Sequence, residues 1–494
     1  MNDLSRGDVV LFSPHLSREE YRPATYFAVP PLSHLALAGP VRDAGWRVHI
    51  IDSKWDLDWR DRVRAFASTL VAFGITSITG YSVRDGMEAA EFIREIRPDV
   101  PIVWGGWHPT FAAGQAIADE KHVDYVVRGQ GERTFVELLE ALEARTPLHG
   151  IQGLTFREGD EVVSTPDRVP EDLNHFPPPA YELIDPRRYI GSVGGTRLGG
   201  AIYSRGCPYA CDFCLDSRQK LLTVSIDRVI ADLQYWVDQG ADYVRIYDGN
   251  FFVSTARLKE LCNAIFDSPI HGRFQWSATG VGSRIASLDD ELLAMLRQSG
   301  LHQVAIGAES GSEELIHRIT NKTTVANTEE AVRRLTRHGI GQYLFFIVGY
   351  PEEPESALDD TLSFIVKLKK INPDLGVFLN FCIPLPGSEM FELAVRHGQI
   401  EPPRTFADWW TLDQTRPNMN HLSPAYAERV RRFLGYLSIG FPPPAPQSRK
   451  REILSRAMRP LRSIAQWRLG RQNYQWPVEL GLLDKLHSAQ RMLQ

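Results

Sequence analysis

YSRGCPYACDFCLDSRQ, residues 203–219, carries three of the chain's five cysteines, spaced C-x3-C-x2-C. A structural zinc site closes with four protein ligands, and a ferredoxin-type cluster takes four cysteines. Three thiolates on a four-iron cluster leave one iron open, and an open position is where a substrate or cofactor can bind. Cys207, Cys211 and Cys214 also fall at i, i+4 and i+7, the spacing of a helix's core face. Pro208 inside the stretch and the polar flanks speak against that helix. A zinc site completed by a distant His is the second plain reading.

Strands and helices alternate on both sides of this stretch. Upstream, strands are predicted at 8–14, 47–52, 71–78, 101–106 and 123–129, with helices at 31–45 and 83–96. That alternation predicts a doubly wound, Rossmann-like parallel sheet, in an α/β fold whose ligands bind at the strands' carboxyl ends. A hairpin at 153–164 and a proline-rich stretch after it read as a connector. From about 199 a second series begins, with strands at 201–206, 242–249, 273–280, 302–310, 341–351 and 376–387. Six strand–helix repeats predict a partial or full parallel barrel with its chemistry at the strand C-termini. The cysteine loop follows the first of these strands. The expected organisation is therefore a ligand-binding domain at 1–150, a connector at 151–195, a (β/α)6 partial barrel at 196–395 and a mainly helical region at 396–494.

Composition narrows the classes. A net charge of −6 is not that of a protein built to hold nucleic acid. MNDLSRGDVVLF has no basic region followed by a long apolar run, so no signal peptide is read there. No run approaches the ~20 apolar residues that span a bilayer. Clustered cysteines suit a metal in a reducing, cytoplasmic setting better than a disulfide framework. Residues 449–471 hold eight basic residues and one acid, with Ile453, Leu454, Ala457, Met458 and Leu461 at helical spacing and Pro460 against one continuous helix. This reads as a helix packed on the barrel with a solvated arginine face, or as a peripheral membrane contact. Trp409, Trp410, Trp467 and Trp476 are candidates for an apolar substrate pocket, although such residues are usually core.

The cysteine spacing, its place after the first barrel strand, and Phe213 just before the last cysteine resemble the radical SAM superfamily. That resemblance implies a [4Fe–4S] cluster on Cys207, Cys211 and Cys214, with S-adenosyl-L-methionine (SAM) on the open iron. One electron then cleaves the sulfonium to give an adenosyl radical that abstracts hydrogen from an unactivated carbon. IYDGNFF (246–252) resembles the family's D-D-x-F segment for the SAM amino group. Asp248 and Asn250 are available there, but Gly249 replaces the second acid. GAESGSEE (307–314) resembles the family's G-x-E-S-G segment and implies Glu309 and Ser310 near the ribose and carboxylate of SAM, with Phe213 a further contact.

GITS (74–77), GGWHPT (105–110) and RGQGERTFVELL (128–139) follow three successive predicted strands. Taken singly they are ordinary strand-to-helix turns. Ahead of a radical SAM core they resemble the cobalamin-binding domain of the class B methyltransferase and anaerobic magnesium-protoporphyrin cyclase-like group. The resemblance implies cobalamin against Ser77, Gly105, Gly106, His108 and Gly129. SPHLSR (13–18) places His15 where related domains ligate cobalt, but lacks the Asp that orients that histidine and the final Gly. Cobalamin without a protein nitrogen below it is expected.

Together these readings imply a cobalamin-dependent radical SAM enzyme that methylates an unactivated carbon of a small-molecule or lipid-like substrate. A flavodoxin- or ferredoxin-type electron donor is implied with it. Oxidative cyclisation or another radical rearrangement without methyl transfer is the alternative, and a non-catalytic corrinoid or iron–sulfur protein is the alternative from a different class.

Overall fold

In the computed structural model the described residues are 6–15, 29–193, 196–217, 219–412, 422–442, 459–475 and 477–481. They form two seven-stranded sheets and a small two-stranded ladder. The first sheet runs in the order β2-β1-β3-β4-β5-β6-β7. Its strands are β1 (Asp8–Ser13), β2 (Arg47–Asp52), β3 (Leu70–Thr76), β4 (Ile102–Gly105), β5 (Tyr125–Val127), β6 (Leu154–Glu158) and β7 (Glu161–Ser164). All pairs from β2 to β5 are parallel. Side chains alternate across β1. Val9 and Leu11 meet Leu35 and Leu138 on one face, while Val10 and Phe12 meet Val83 and Ile93 on the other. Burial on both faces is why these strands read as continuous apolar runs.

One boundary moves. The hairpin expected in the connector pairs antiparallel with β5 and forms the edge of the first sheet. The connector is thereby confined to the proline-rich stretch between the two sheets.

The second sheet runs β16-β15-β14-β13-β12-β9-β8, an open half-barrel. Its strands are β8 (Gly191–Val193), β9 (Thr196–Ala201), β12 (Tyr243–Ile246), β13 (Gln275–Gly280), β14 (Leu301–Glu309), β15 (Gly341–Val348) and β16 (Gly376–Phe381). The small ladder is β10 (Ser204–Arg205) with β11 (Leu222–Thr223). From β9 to β16 every pair is parallel, and β8 closes one edge antiparallel.

The connecting helices start where their sequences provide a cap. Ser225, Ser254, Asp289, Ser312, Thr324 and Ser388 each accept a backbone N–H in the first turn of the helix that follows. Helix Ile226–Asp238 lays Trp236 against β9, where a Cβ on Gly199 would meet its ring at 3.0 Å. Trp236 is fully buried, and its truncation to alanine would cost about 4 kcal/mol.

The last region is helical in part. Helices Pro424–Gly440 and Arg459–Gly470 share the barrel's core through Val430, Phe433, Ala465 and Leu469. Pro460 falls in the first turn of the second helix, where proline is tolerated. Most of the basic stretch before it, 449–458, lies outside the described residues, as does Trp476. Trp467 is half exposed. Phe406, Trp409 and Leu412 fold back onto the first domain, so Trp409 is core there. No described helix is long and apolar enough to cross a membrane.

Candidate active site

The cysteine loop leaves the half-barrel after β9 and is closed at its neck by β10 and β11. Within it, the Cys207 amide donates to the Asp216 carbonyl and the Gln219 amide to the Cys207 carbonyl, both at 3.1 Å. Gly206 has φ 77°, and a Cβ on it would stand 2.4 Å from the Lys220 carbonyl oxygen, so the neck requires glycine. Segment 319–321 pins the loop from outside. The Asp212 amide donates to the Ile319 carbonyl at 3.1 Å, and the Ala210 amide donates to Asn321 Oδ1 at 2.9 Å. Thr320 Oγ1 lies 2.9 Å from Cys211 Sγ.

All three thiols are free, with Cys211 buried and Cys207 and Cys214 half-buried. Cys262 and Cys382 are buried in the barrel's packing, the latter 3.2 Å from Met390 Sδ. Among the described residues no three His, Cys, Asp or Glu side chains stand together closely enough to hold a metal ion. Cys211 and Cys214 instead line a cavity of about 220 Å³ together with Phe111, Gly387 and Ser388. Burial pushes the Cys214 thiol up to about 11 and raises Cys211 as well, against the nearby positive charge of Lys322. Three free thiols on one short loop, two of them lining the cavity, match the thiolate donors of an iron–sulfur cluster. The donor set therefore fits a cluster.

Lys322 escaped the sequence reading. It is buried, its Nζ lies 2.5 Å from Glu309 Oε1, and it stands 5.4 Å over the Phe213 ring. Burial disfavours its charge, but Glu309 and the neighbouring cysteines outweigh this and raise its pKa. Glu309 sits at a bulge in β14 with φ 59°, uncommon for a residue with a side chain. Its carboxylate folds back over Gly307, where a Cβ would stand 2.4 Å from Oε1. The first glycine of G-x-E-S-G is thus explained by space for this ion pair, and the second, Gly311, by close packing on Asp360, Thr361 and Phe364. The only prior signal for Lys322 was a lysine in a polar loop.

The other expected SAM residues divide. Asp248 is buried, with Oδ1 accepting the Tyr203 amide at 2.7 Å and Oδ2 the Ser204 hydroxyl at 2.6 Å. Burial raises its pKa to about 6. It holds the entrance of the cysteine loop. The Ser310 hydroxyl is likewise taken up inside the fold, 3.0 Å from Thr361 Oγ1 and 3.1 Å from the Ser312 amide. Both side chains are hydrogen-bonded within the fold. Asn250 differs: it is 2% exposed and neither amide atom has a partner. Phe213 packs against the small cluster of Leu315, Ile319 and Met390.

At the carboxyl edge of the first sheet, the expected cobalamin residues lie in one network. The Ser77 amide donates to the Gly105 carbonyl at 3.0 Å and the His108 amide to the Ser77 carbonyl at 3.2 Å. The Gly129 amide donates to Thr110 Oγ1 at 3.2 Å. Gly106 has φ 93°, and a Cβ there would meet Thr76 Oγ1 at 2.5 Å. Gly129 has open space around it, and the buried Ser77 hydroxyl has no partner. Exposed Trp55, Leu57, Ile78, Trp107 and Phe111 follow β2, β3 and β4 as an apolar rim. An unsatisfied hydroxyl, a glycine cradle and an apolar rim fit a flat macrocycle with a polar tail.

His108 departs from its expected place. Its ring is 1% exposed and lies 5.2 Å from both the Phe406 and Trp409 rings, so it offers no face to a bulky ligand. His15 Nε2 lies 3.4 Å from Asp52 Oδ1, so the carboxylate missing from SPHLSR is supplied by the end of β2.

The two edges meet. Phe111 reaches Gly387, where a Cβ would stand 2.3 Å from its ring. Arg205, just before the cysteines, pairs with buried Glu132 of the RGQGER turn at 2.5 Å.

The radical SAM superfamily profile matches residues 201–365, and that of the B12 binding domain matches residues 24–139. A protein of Pyrococcus horikoshii named an uncharacterized methyltransferase is 30% identical over 380 residues, 75% of this chain and 80% of the relative. An anaerobic magnesium-protoporphyrin IX monomethyl ester cyclase of Synechocystis is 28% identical over 80% of this chain and 76% of its own. In fold, the chain resembles the radical SAM methyltransferase TsrM from Kitasatospora setae, solved with cobalamin and a [4Fe–4S] cluster. The TM-score is 0.66 at 19% identity, over 92% of this chain and 100% of that one.

Proposed function

Because the chain belongs to the radical SAM proteins that carry a B12-binding domain, we propose that it methylates an unactivated carbon of a small-molecule or lipid-like substrate. Its cofactors are a [4Fe–4S] cluster, SAM and cobalamin. When bound, the cluster with SAM supplies a carbon-centred radical, and cobalamin supplies a transferable methyl group. The observation that carries the reading is the meeting of both edges at one cavity, with Phe111 of the first domain beside Cys211 and Cys214.

The chain's own groups have separable tasks. Cys207, Cys211 and Cys214 hold the cluster on a loop whose neck is fixed by Gly206 and Asp248. Lys322, paired with Glu309, offsets negative charge beside the thiols. Ser77, Gly105, Gly106 and Gly129 admit the corrin and its tail. Phe111 and Gly387 meet at the junction. A flavodoxin- or ferredoxin-type protein is the proposed electron donor, and the cytoplasm the proposed setting.

The test is anaerobic turnover of the reconstituted protein with candidate substrates. Product heavier by one methyl group, with S-adenosylhomocysteine beside 5′-deoxyadenosine, supports the proposal. The cyclase relative favours one other reading, a radical oxidation without methyl transfer. A product lighter by hydrogen atoms, with no S-adenosylhomocysteine, would select it.

A further inference from the structure

The segment at the end of β12 is short of an acid in sequence, and the structure shows what stands in its place. Asp248 has both oxygens engaged by Tyr203 and Ser204. The next residue is Gly249, whose φ is not in the left-handed range. Glycine is therefore not needed there for backbone shape. Space there is tight: a Cβ at 249 would lie 3.3 Å from Asp216 Oδ2, which would have to give by a few tenths of an ångström. A larger side chain would push that carboxylate aside.

Asp216 comes from the cysteine loop, two residues after Cys214. Its carbonyl is fixed by the Cys207 amide at 3.1 Å. No hydrogen bond or ion pair to its carboxylate occurs among the described residues. Beside Gly249 in the chain is Asn250, buried with both amide atoms unpartnered. Leaving such groups unsatisfied is costly, and a ligand is one of the groups that can complete them. Lys322, its ammonium 5.4 Å over the ring of Phe213 next to Cys214, and the Asp216 carboxylate place opposite charges beside the cysteine loop. A ligand bearing an ammonium and a carboxylate on one carbon matches that pair of opposite charges beside the cysteines.

We propose that the Asp216 carboxylate, assisted by Asn250 Oδ1, binds the amino group of the methionine half of SAM, in place of the acid absent at position 249. This rests on the radical SAM reading above. It assigns the group to the cluster loop itself, so cluster assembly and cofactor binding share one segment.

The test compares SAM with its deaminated analogue, which keeps the sulfonium and carboxylate but lacks the amino group. Binding to anaerobically reconstituted full-length protein is read from the change each compound makes in the electron paramagnetic resonance signal of the reduced cluster. Wild type should prefer SAM, and Asp216→Asn should weaken SAM by about ten-fold or more while leaving the analogue unchanged. Gly249→Ala, which leaves every ionisable group in place, should reduce the same preference by displacing Asp216. It also keeps the test decisive if Asp216→Asn assembles too little cluster. Variants that retain the wild-type preference, or that lose SAM and the analogue equally, would overturn the inference while leaving the proposed function intact. Wild type whose signal ignores both compounds would overturn the proposed function, and this inference with it.

Discussion

Arg205 and Glu132 join the two domains through an ion pair of 2.5 Å, with Glu132 buried at the start of helix Gly131–Ala144 and Arg205 at the neck of the cysteine loop. The carboxylate gains from the helix N-terminus as well as from the guanidinium. The pair ties the RGQGER turn of the first domain to the neck of the cysteine loop. Arg205→Leu leaves Glu132 buried without its partner and should cost about 2 kcal/mol, discounted because Arg205 is partly exposed. The double variant with Glu132→Gln should recover part of this. A double-mutant cycle from urea unfolding checks it, and strict additivity would show that the pair is not coupled.

Lys322 and Glu309 form the second buried pair, with side chains 12% and 6% exposed. Lys322→Met should destabilise the fold by about 3 kcal/mol, because an unpaired carboxylate remains inside. Adding Glu309→Gln should restore much of that stability but not SAM affinity. Denaturant midpoints and SAM titrations of the two variants separate the outcomes.

Phe111 predicts a different kind of defect. Its ring covers Gly387, which has φ 88° and no room for a Cβ. Phe111→Ala should leave cluster content, bound cobalamin and SAM affinity near wild type. Product formed per SAM cleaved should fall, by up to about a hundredfold, because the junction no longer holds substrate between the two sites. Quantifying 5′-deoxyadenosine against methylated product measures this ratio, and an unchanged ratio would remove Phe111 from the junction's function.

Much of this arrangement was legible because it is local. Strand and helix positions followed from apolar runs, and the cysteine spacing marked the loop. The hairpin at β6 and β7 was visible too, but its partner, β5, was not, since pairing across a turn leaves no short-range signal. Asp216 meets Gly249, and Lys322 meets Glu309 and Phe213, only after the loop is folded. Asp248 and Ser310 stood in the expected segments, yet the folded backbone claims their side chains. His108 looked like a turn residue open to a ligand. Only the return of Phe406 and Trp409 from the C-terminal region encloses it.

Burial also sets a pH response. His34 and His108 are both lowered by burial from an ordinary 6.5 to about 4. With the folded value depressed, their stabilising contribution is complete above pH 6.5 and is lost as pH falls toward 4, because the unfolded chain takes up the protons first. Each should cost about 2 kcal/mol at pH 5 relative to neutral pH. His108→Phe should flatten the fall in the urea midpoint between pH 7 and pH 5. A fall of wild-type size in that variant would show that His108 is not responsible.

The most direct measurement is the electron paramagnetic resonance spectrum of the reduced, anaerobically reconstituted protein with and without SAM, alongside metal analysis. About four irons and four sulfides per chain are expected, with a signal that shifts when SAM is added and is lost in Cys214→Ala while cobalamin stays bound. Stoichiometric zinc in place of iron, or an iron signal indifferent to SAM, would contradict the account.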